Sequence, residues 1–349
     1  VERVLVVGNG YAGRRFTAAL SHLARCGVPL ELVGICDRDQ SRARHDHLPA
    51  FIDTAGALAL TEPSVVCVTV NESQHGNVYE SLADSPPLLV LTEKPLGESE
   101  ADAELAAEAL KNHLVSMNMV ERFSPIVRVC REWLEENRPW DIVRIESFWG
   151  KHRLFDARPT MGVLSELIHP IDLVEALFAQ GPLEIEWVHG TASDFSPRFA
   201  SMLDSVDVLA RGGDTPVVLH SSFVWPKRLR TVVAVLRHPD GRTSRVELTF
   251  DDPHWDCDKL EISSIDGSGR IGPVLAFSTD VDDLPEAVRG VGKVATFMDQ
   301  SIRAWRGEAT EDALVDLAGG VALQATLSSV ETTMGEAVLG AGYRTERVR

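Results

Sequence analysis

Four groups of residues in this chain have the types and spacing that chemistry requires. Gly8-Asn9-Gly10-Tyr11-Ala12-Gly13 is a glycine hexad of the kind that cradles a pyrophosphate. Its first glycine permits a tight turn, its second lets backbone approach phosphate, and its third lets a helix sit close to a strand. Asp37 closes the next apolar run. A carboxylate there accepts hydrogen bonds from both adenosine-ribose hydroxyls and repels a 2′-phosphate, which favours NAD over NADP. Arg38 beside it could stack on adenine or pair with that phosphate, so NADP stays open. Thr92-Glu93-Lys94-Pro95-Leu96-Gly97 presents a lysine aimed by a proline, able to stabilise developing alkoxide charge. Finally, Ser165, Glu166, His169 and Asp172 fall within one short stretch. On a continuous helix Ser165, His169 and Asp172 share a face with Glu166 beside them, a setting for proton transfer by the imidazole.

These groups need elements to hold them. Val4–Val7 reads as a strand and Arg14–Ala24 as a helix, so the hexad stands in a strand–loop–helix context. A helix N-terminus there offers free N–H groups and a positive dipole end to phosphates. Leu30–Cys36, Val65–Val70, Leu88–Leu91 and Val115–Val120 are further apolar runs, nearly continuous as in parallel strands covered on both faces. Helical stretches at Asn77–Ala83 and Ser99–Asn112 lie between them, which predicts a doubly wound sheet with Lys94 at its carboxyl edge. Beyond residue 124 the pattern changes. Pro125–Glu136 and Gly162–Ala179 are predicted helices and Asp141–Gly150 a strand. Strands dominate from Leu183 to Ile265, with alternation at Thr243–Phe250 and Lys259–Ile265 that marks antiparallel pairing with one exposed face. Helices at Leu284–Trp305 and Thr310–Thr333 close the chain. Pro170 inside the histidine segment predicts a kink or a helix start. The expected architecture is α/β: a dinucleotide-binding domain over 1–123, then an α+β domain over 124–349 with a large, mostly antiparallel open sheet. The closing helices could pack back on the first domain.

Length and composition bound the function. At 349 residues two domains are expected. A formal charge of −18 opposes nucleic acid and anionic membranes as partners. No apolar run reaches membrane-spanning length, and the start of the chain enters a strand without signal-peptide character. Cys26, Cys36, Cys67, Cys130 and Cys257 form no metal motif and no disulfide framework, and a cytoplasmic location is expected. No metal is expected.

Taken together, the ordered series resembles the Gfo/Idh/MocA family, the glucose-fructose oxidoreductase and inositol dehydrogenase group. The likeness rests on the glycine loop, then Thr69-Val70-Asn71 with His75, then Glu93-Lys94-Pro95, then Arg122-Phe123-Ser124-Pro125, then the histidine segment. The resemblance implies a Rossmann domain with a sheet domain that builds dimers or tetramers. It implies NAD or NADP as cofactor, with NAD favoured by Asp37, and a sugar, cyclitol or related small molecule as substrate. Lys94 matches the family's catalytic lysine and His169 its catalytic histidine. Thr69, Asn71, His75, Glu93 and Lys94 join the glycine loop, Asp37 and Arg38 as expected cofactor contacts. Lys94, Arg122, Lys151 and Asp172 are expected substrate contacts. Two departures stand out: Val70 replaces a common proline, and Ser165 stands where the family carries an aspartate four residues before its histidine. Either Glu166 supplies that carboxylate, or Ser165 gives a neutral hydrogen bond, or the substrate differs. Two other functions stay open at this point: a thiazoline-type imine reductase, and a non-catalytic dinucleotide-binding regulator like the family's galactose-pathway repressors.

Overall fold

The computed structural model describes residues 1–44, 47–179, 181–310, 313–340 and 342–343. The first stretch alternates strand and helix: β1 (Glu2–Val7), α1 (Tyr11–Arg25), β2 (Leu30–Cys36), α2 (Gln40–Ala43), β3 (Ala50–Phe51), α3 (Thr54–Thr61), β4 (Val65–Val68), α4 (His75–Leu82), β5 (Leu89–Thr92), α5 (Glu100–Leu110) and β6 (Leu114–Met117). The second holds α6 (Pro125–Glu136), β7 (Asp141–His152), α7 (Leu164–Leu177), β8 (Glu184–Ser193), β9 (Met202–Gly212), β10 (Thr215–Ser222), β11 (Val224–Arg237), β12 (Thr243–Thr249), β13 (Lys259–Ile265) and β14 (Ile271–Ser278). Helices α8 (Gly292–Trp305) and α9 (Leu317–Met334) and a short β15 (Val338–Leu339) follow. Two compact units result, Val1–Phe123 with Leu284–Gln324, and Ser124–Asp283 with Ala325–Arg349.

The first unit is a six-stranded sheet in the order β3-β2-β1-β4-β5-β6. Every pair is parallel. This is the doubly wound order that binds dinucleotides at the carboxyl ends of its strands. The central strands are apolar because both faces are covered. Successive side chains on each strand go to opposite faces: Val4, Val6, Cys67, Leu89 and Leu91 enter one core, and Leu5, Val7, Val66, Val68 and Val90 the other. The first core is completed by α8, whose Phe297 ring meets Phe16 at 6.2 Å and Phe123 at 5.4 Å. Segment 284–324 therefore belongs to the first unit rather than to the domain that begins at 124. Its apolar face, Val294, Phe297, Met298 and Ile302, finds its burial there.

The second unit carries a nine-stranded sheet in the order β14-β13-β12-β11-β7-β10-β9-β8-β15. It is antiparallel except for β7 with β10 and β8 with β15. The expected α/β class, with a Rossmann sheet first and a large open sheet second, is what the chain adopts. Several boundaries differ. The run at 65–70 pairs only to Val68, and the run at 115–120 ends at Met117 before a 3-10 turn at Val120–Phe123. Strand β14 shows no clean alternation of burial, which hid it from the sequence. The closing helix begins at Leu317, not at Thr310, and residues 311–312 lie outside the described residues. Pro170 neither starts nor ends α7. An interior proline removes one helix hydrogen bond, a cost of about 3 kcal/mol in an exposed helix. Here Leu164 through Val174 are all buried, so tertiary packing outweighs that loss.

No helix among the described residues is long and apolar enough to cross a membrane.

Candidate active site

In the first unit, the hexad joins β1 to α1 as expected. Gly8 has φ +93°, and its N–H donates to the Cys36 carbonyl at 2.7 Å. A Cβ on Gly8 would stand 2.6 Å from Val70 N, and one on Gly13 would stand 1.9 Å from Gly8 O. Protein atoms alone thus demand glycine at both positions. Gly10 is different: a Cβ there meets nothing within 4 Å. Its side faces open space, as a cradle for pyrophosphate requires, and no side chain caps the helix start beside it. Tyr11 is exposed and Ala12 half-buried at that start. These residues fit a dinucleotide.

Asp37 does more than wait for a ribose. Its Oδ2 accepts the Asn9 N–H at 2.8 Å and its Oδ1 the Asp39 N–H at 2.9 Å. The carboxylate locks the glycine loop to the end of β2, and each oxygen retains capacity for another donor. Asn9 is tied in turn to the Arg42 carbonyl through Nδ2 at 2.7 Å. Arg38 is exposed. Thr69 Oγ1 donates to Gly8 O at 2.5 Å, so this buried hydroxyl serves the loop from the end of β4. Asn71 caps the following turn, accepting the Ser73 N–H at 3.4 Å.

His75 is 1% exposed. Its Nδ1 lies 2.9 Å from Pro95 O and its Nε2 3.3 Å from Val70 O. Burial holds its imidazole below the usual histidine range, against the opposing pull of Glu72, Glu93 and the two carbonyls. The ring links the strand ends of β4 and β5 and so sets the loop that carries Lys94. Glu93 Oε1 accepts from Asn118 Nδ2 at 2.8 Å, and Thr92 Oγ1 sits 2.7 Å from the buried Tyr79 hydroxyl. Lys94 is half-buried and precedes a cis Pro95. Arg122 is half-buried in the Val120–Phe123 turn.

In the second unit, α7 packs on the face of the sheet made by β7, β9, β10 and β11. Ser165, Glu166, His169 and Asp172 are all buried on it. Ser165 Oγ turns back to donate to Gly162 O at 2.8 Å. Glu166 instead reaches the sheet. Its Oε2 lies 2.6 Å from Lys151 Nζ and 3.5 Å from an Arg230 guanidinium nitrogen. The imidazole of His169 stacks on the indole of Trp149, with centroids 5.7 Å apart and planes 17° from parallel. The structure therefore brings Glu166 to Lys151 and His169 to Trp149, with Ser165 and Asp172 one turn to either side of His169 on the same helix.

Arg230, Trp149, Asp251 and Trp255 complete this cluster and were not expected as site residues. Arg230 pairs with Asp251 and lies over the rings of Trp149 at 5.2 Å and Trp255 at 5.1 Å. One signal for it is present in the sequence. In β11, residues 232, 234 and 236 point into the core, and the same parity places an arginine at 230. A charge on the buried parity of a strand requires a partner. Among the described residues no group of three or more His, Cys, Asp or Glu side chains is arranged to hold a metal.

Residues 2–119 match the Gfo/Idh/MocA model, an oxidoreductase family with an NAD-binding Rossmann fold. The match covers the first third of the chain. No curated protein matches the chain significantly. Among solved structures, UDP-N-acetylglucosamine 3-dehydrogenase from Acidithiobacillus ferrooxidans is similar over 95% of this chain and 97% of its own, with 18% identity and a TM-score of 0.69. Levoglucosan dehydrogenase in complex with NADH and levoglucosan covers 95% of this chain and 96% of its own, at 15% identity and TM-score 0.73. A 3-ketoreductase from Actinomadura kijaniata, in complex with TDP-benzene and NADP, covers 97% and 99%, at 16% identity and TM-score 0.72. At such identities the likeness shows the fold alone. The model describes an NAD-binding oxidoreductase family; two of these neighbours are dehydrogenases by name and one a ketoreductase, and the structures of the latter two neighbours contain NADH and NADP respectively.

Proposed function

We propose that this chain is an NAD(P)-dependent oxidoreductase that interconverts a secondary alcohol and a ketone on a sugar, cyclitol or related hydroxylated small molecule. The observation that carries this reading is α7. One buried helix bears an imidazole with a carboxylate a turn before it, and that carboxylate is held by two cations. Such an imidazole is built to move a proton. When bound, the nicotinamide accepts or returns the hydride. In the oxidation direction His169 accepts the hydroxyl proton, and Lys94 stabilises the negative charge that develops on oxygen. The loop from Gly8 to Gly13 holds the pyrophosphate, with Asp37 and Arg38 at the adenosine ribose. Thr69, Asn71, His75 and Glu93 shape the nucleotide-side strand ends, and Arg122, Lys151 and Asp172 contact or orient substrate.

The test is turnover with NAD⁺ and NADP⁺ against UDP-N-acetylglucosamine, levoglucosan and myo-inositol, followed by nicotinamide absorbance. Reduction of either dinucleotide by a hydroxylated substrate is expected. Tight NADH binding with turnover of none of them, while a cyclic imine is reduced, would replace the alcohol–ketone reading by imine reduction.

A further inference from the structure

A buried arginine must be answered by charge, because its guanidinium stays protonated in any protein environment. Arg230 is 1% exposed and stands opposite Trp149 in the antiparallel pairing of β11 with β7. Two carboxylates answer it. One nitrogen hydrogen-bonds Oδ2 of the fully buried Asp251, and another lies 3.5 Å from Oε2 of Glu166.

Asp251 is itself held in place. Its backbone is left-handed, at φ +55°, and Asp256 in the same loop is at φ +65°. Side chains outside glycine occupy that region only where their surroundings fix them. The fixings are present. The Asp251 N–H donates to Asp258 Oδ1 at 2.8 Å, Asp251 Oδ1 accepts the Asp256 N–H at 3.0 Å, and Asp258 Oδ2 accepts from Ser124 Oγ at 2.5 Å. Trp149 and Trp255 lie against the guanidinium, and Arg228 covers Trp255 at 4.2 Å.

A buried ion pair is a poor device for stability, since well-packed apolar residues serve as well or better. Its strength is geometric: a planar fork fixes where two carboxylates stand. One of those two is Glu166, three residues before His169 on α7, which places it on the neighbouring turn of the same helix face.

We propose that Arg230 is a positioning residue for the reaction proposed above: acting through Glu166, with Asp251 as its anchor, it fixes a carboxylate beside His169 in the role that Ser165 cannot fill. The proposal rests on that reading of His169. Lys151 is the second clamp, less buried and able to meet solvent or substrate.

The experiment is a double-mutant cycle of Arg230→Lys with Glu166→Gln, run on the substrate that wild-type enzyme turns over. A lysine keeps the charge but lacks the planar fork that fixes two carboxylates in one geometry. Arg230→Lys is expected to lower kcat by about 10–100-fold, the scale of misplacing a catalytic partner, with little change in KM for the dinucleotide. In the Glu166→Gln background the same substitution should cost nothing further, because the group it acts through is already gone. A folded Arg230→Lys enzyme with wild-type kcat overturns the proposal. So does an equal loss in both backgrounds, which is what a merely structural arginine produces. If Arg230→Lys does not fold, Asp251→Asn takes its place in the cycle, with the same two outcomes deciding. His169→Ala separates the two claims. If it is silent, the function reading fails and the proposal falls with it; if it is severe while the cycle is additive, only the role of Arg230 fails.

Discussion

At position 165 the hydroxyl is occupied with the Gly162 carbonyl, while the next residue sends a carboxylate to Lys151 and Arg230. Under the proposed function, Glu166 rather than Ser165 takes the role of the missing aspartate. Glu166→Gln removes a charge from a buried cluster and is expected to lower kcat by about 10²-fold, the scale of losing a partner in acid–base catalysis. Ser165→Ala removes a local backbone hydrogen bond and should change kcat by less than about threefold. Steady-state rates of the two variants check this, and the reverse order would assign the role to the serine. Lys94→Ala is expected to lower kcat by about 10²-fold or more through loss of charge stabilisation at the reacting oxygen. A rate unchanged by that substitution would remove Lys94 from the chemistry.

Among the elements, the glycine loop and the His75 link carry separable expectations. Gly10→Val places its branches in open space, so the fold should persist while NADH affinity falls sharply in a fluorescence titration. Gly13→Val instead drives a Cβ into the Gly8 carbonyl, and the thermal midpoint should drop with it. Equal effects on both properties for both variants would contradict the division. His75 gives a pH dependence. Its folded pKa is lowered by burial, so below about 6.5, where an unfolded histidine takes up its proton, the unfolded chain binds more protons than the native one. His75 thus favours the folded state above that pH and loses this contribution as the pH falls towards the depressed value. Denaturant unfolding of wild type and His75→Asn between pH 7.5 and roughly 5 reads it: the variant should show the flatter pH profile. Parallel profiles would mean that the ring is not held neutral. These elements were legible because each motif is a run of consecutive residues: strand, glycine loop and helix, then Glu93-Lys94-Pro95 at a strand end, then a histidine helix. The cluster around Arg230 was not. It is assembled by the register of β11 on β7 and by a loop at 251–258, and sequence spacing carries no register. That α7 does not start at Pro170 has a related reason, since the burial that offsets the proline's cost is tertiary.

For the molecule as a whole, the fold class follows from the change of period near residue 124, from covered parallel strands to alternating ones. The return of 284–324 to the first unit is one option at the level of sequence and no more, because helix amphipathicity does not name its partner. The face of the large sheet opposite α7 carries Phe148, His220 and Trp225 in mutual ring contact, at 4.5 and 4.7 Å from Phe148, with Leu209 and Trp187 more than two-fifths exposed. Apolar surface of that kind is covered in stable proteins, and self-association through it is the expected outcome. Light scattering should give a dimer or tetramer, and a monomer at micromolar concentration would contradict the assignment. The central claim is that His169 moves the substrate's proton in a reaction whose hydride goes to a dinucleotide held elsewhere in the chain. Its most direct test is His169→Ala, assayed for both kcat and NADH affinity. A loss in kcat of about 10²-fold or more with NADH binding unchanged is the result expected; a wild-type kcat in the folded variant would contradict the account.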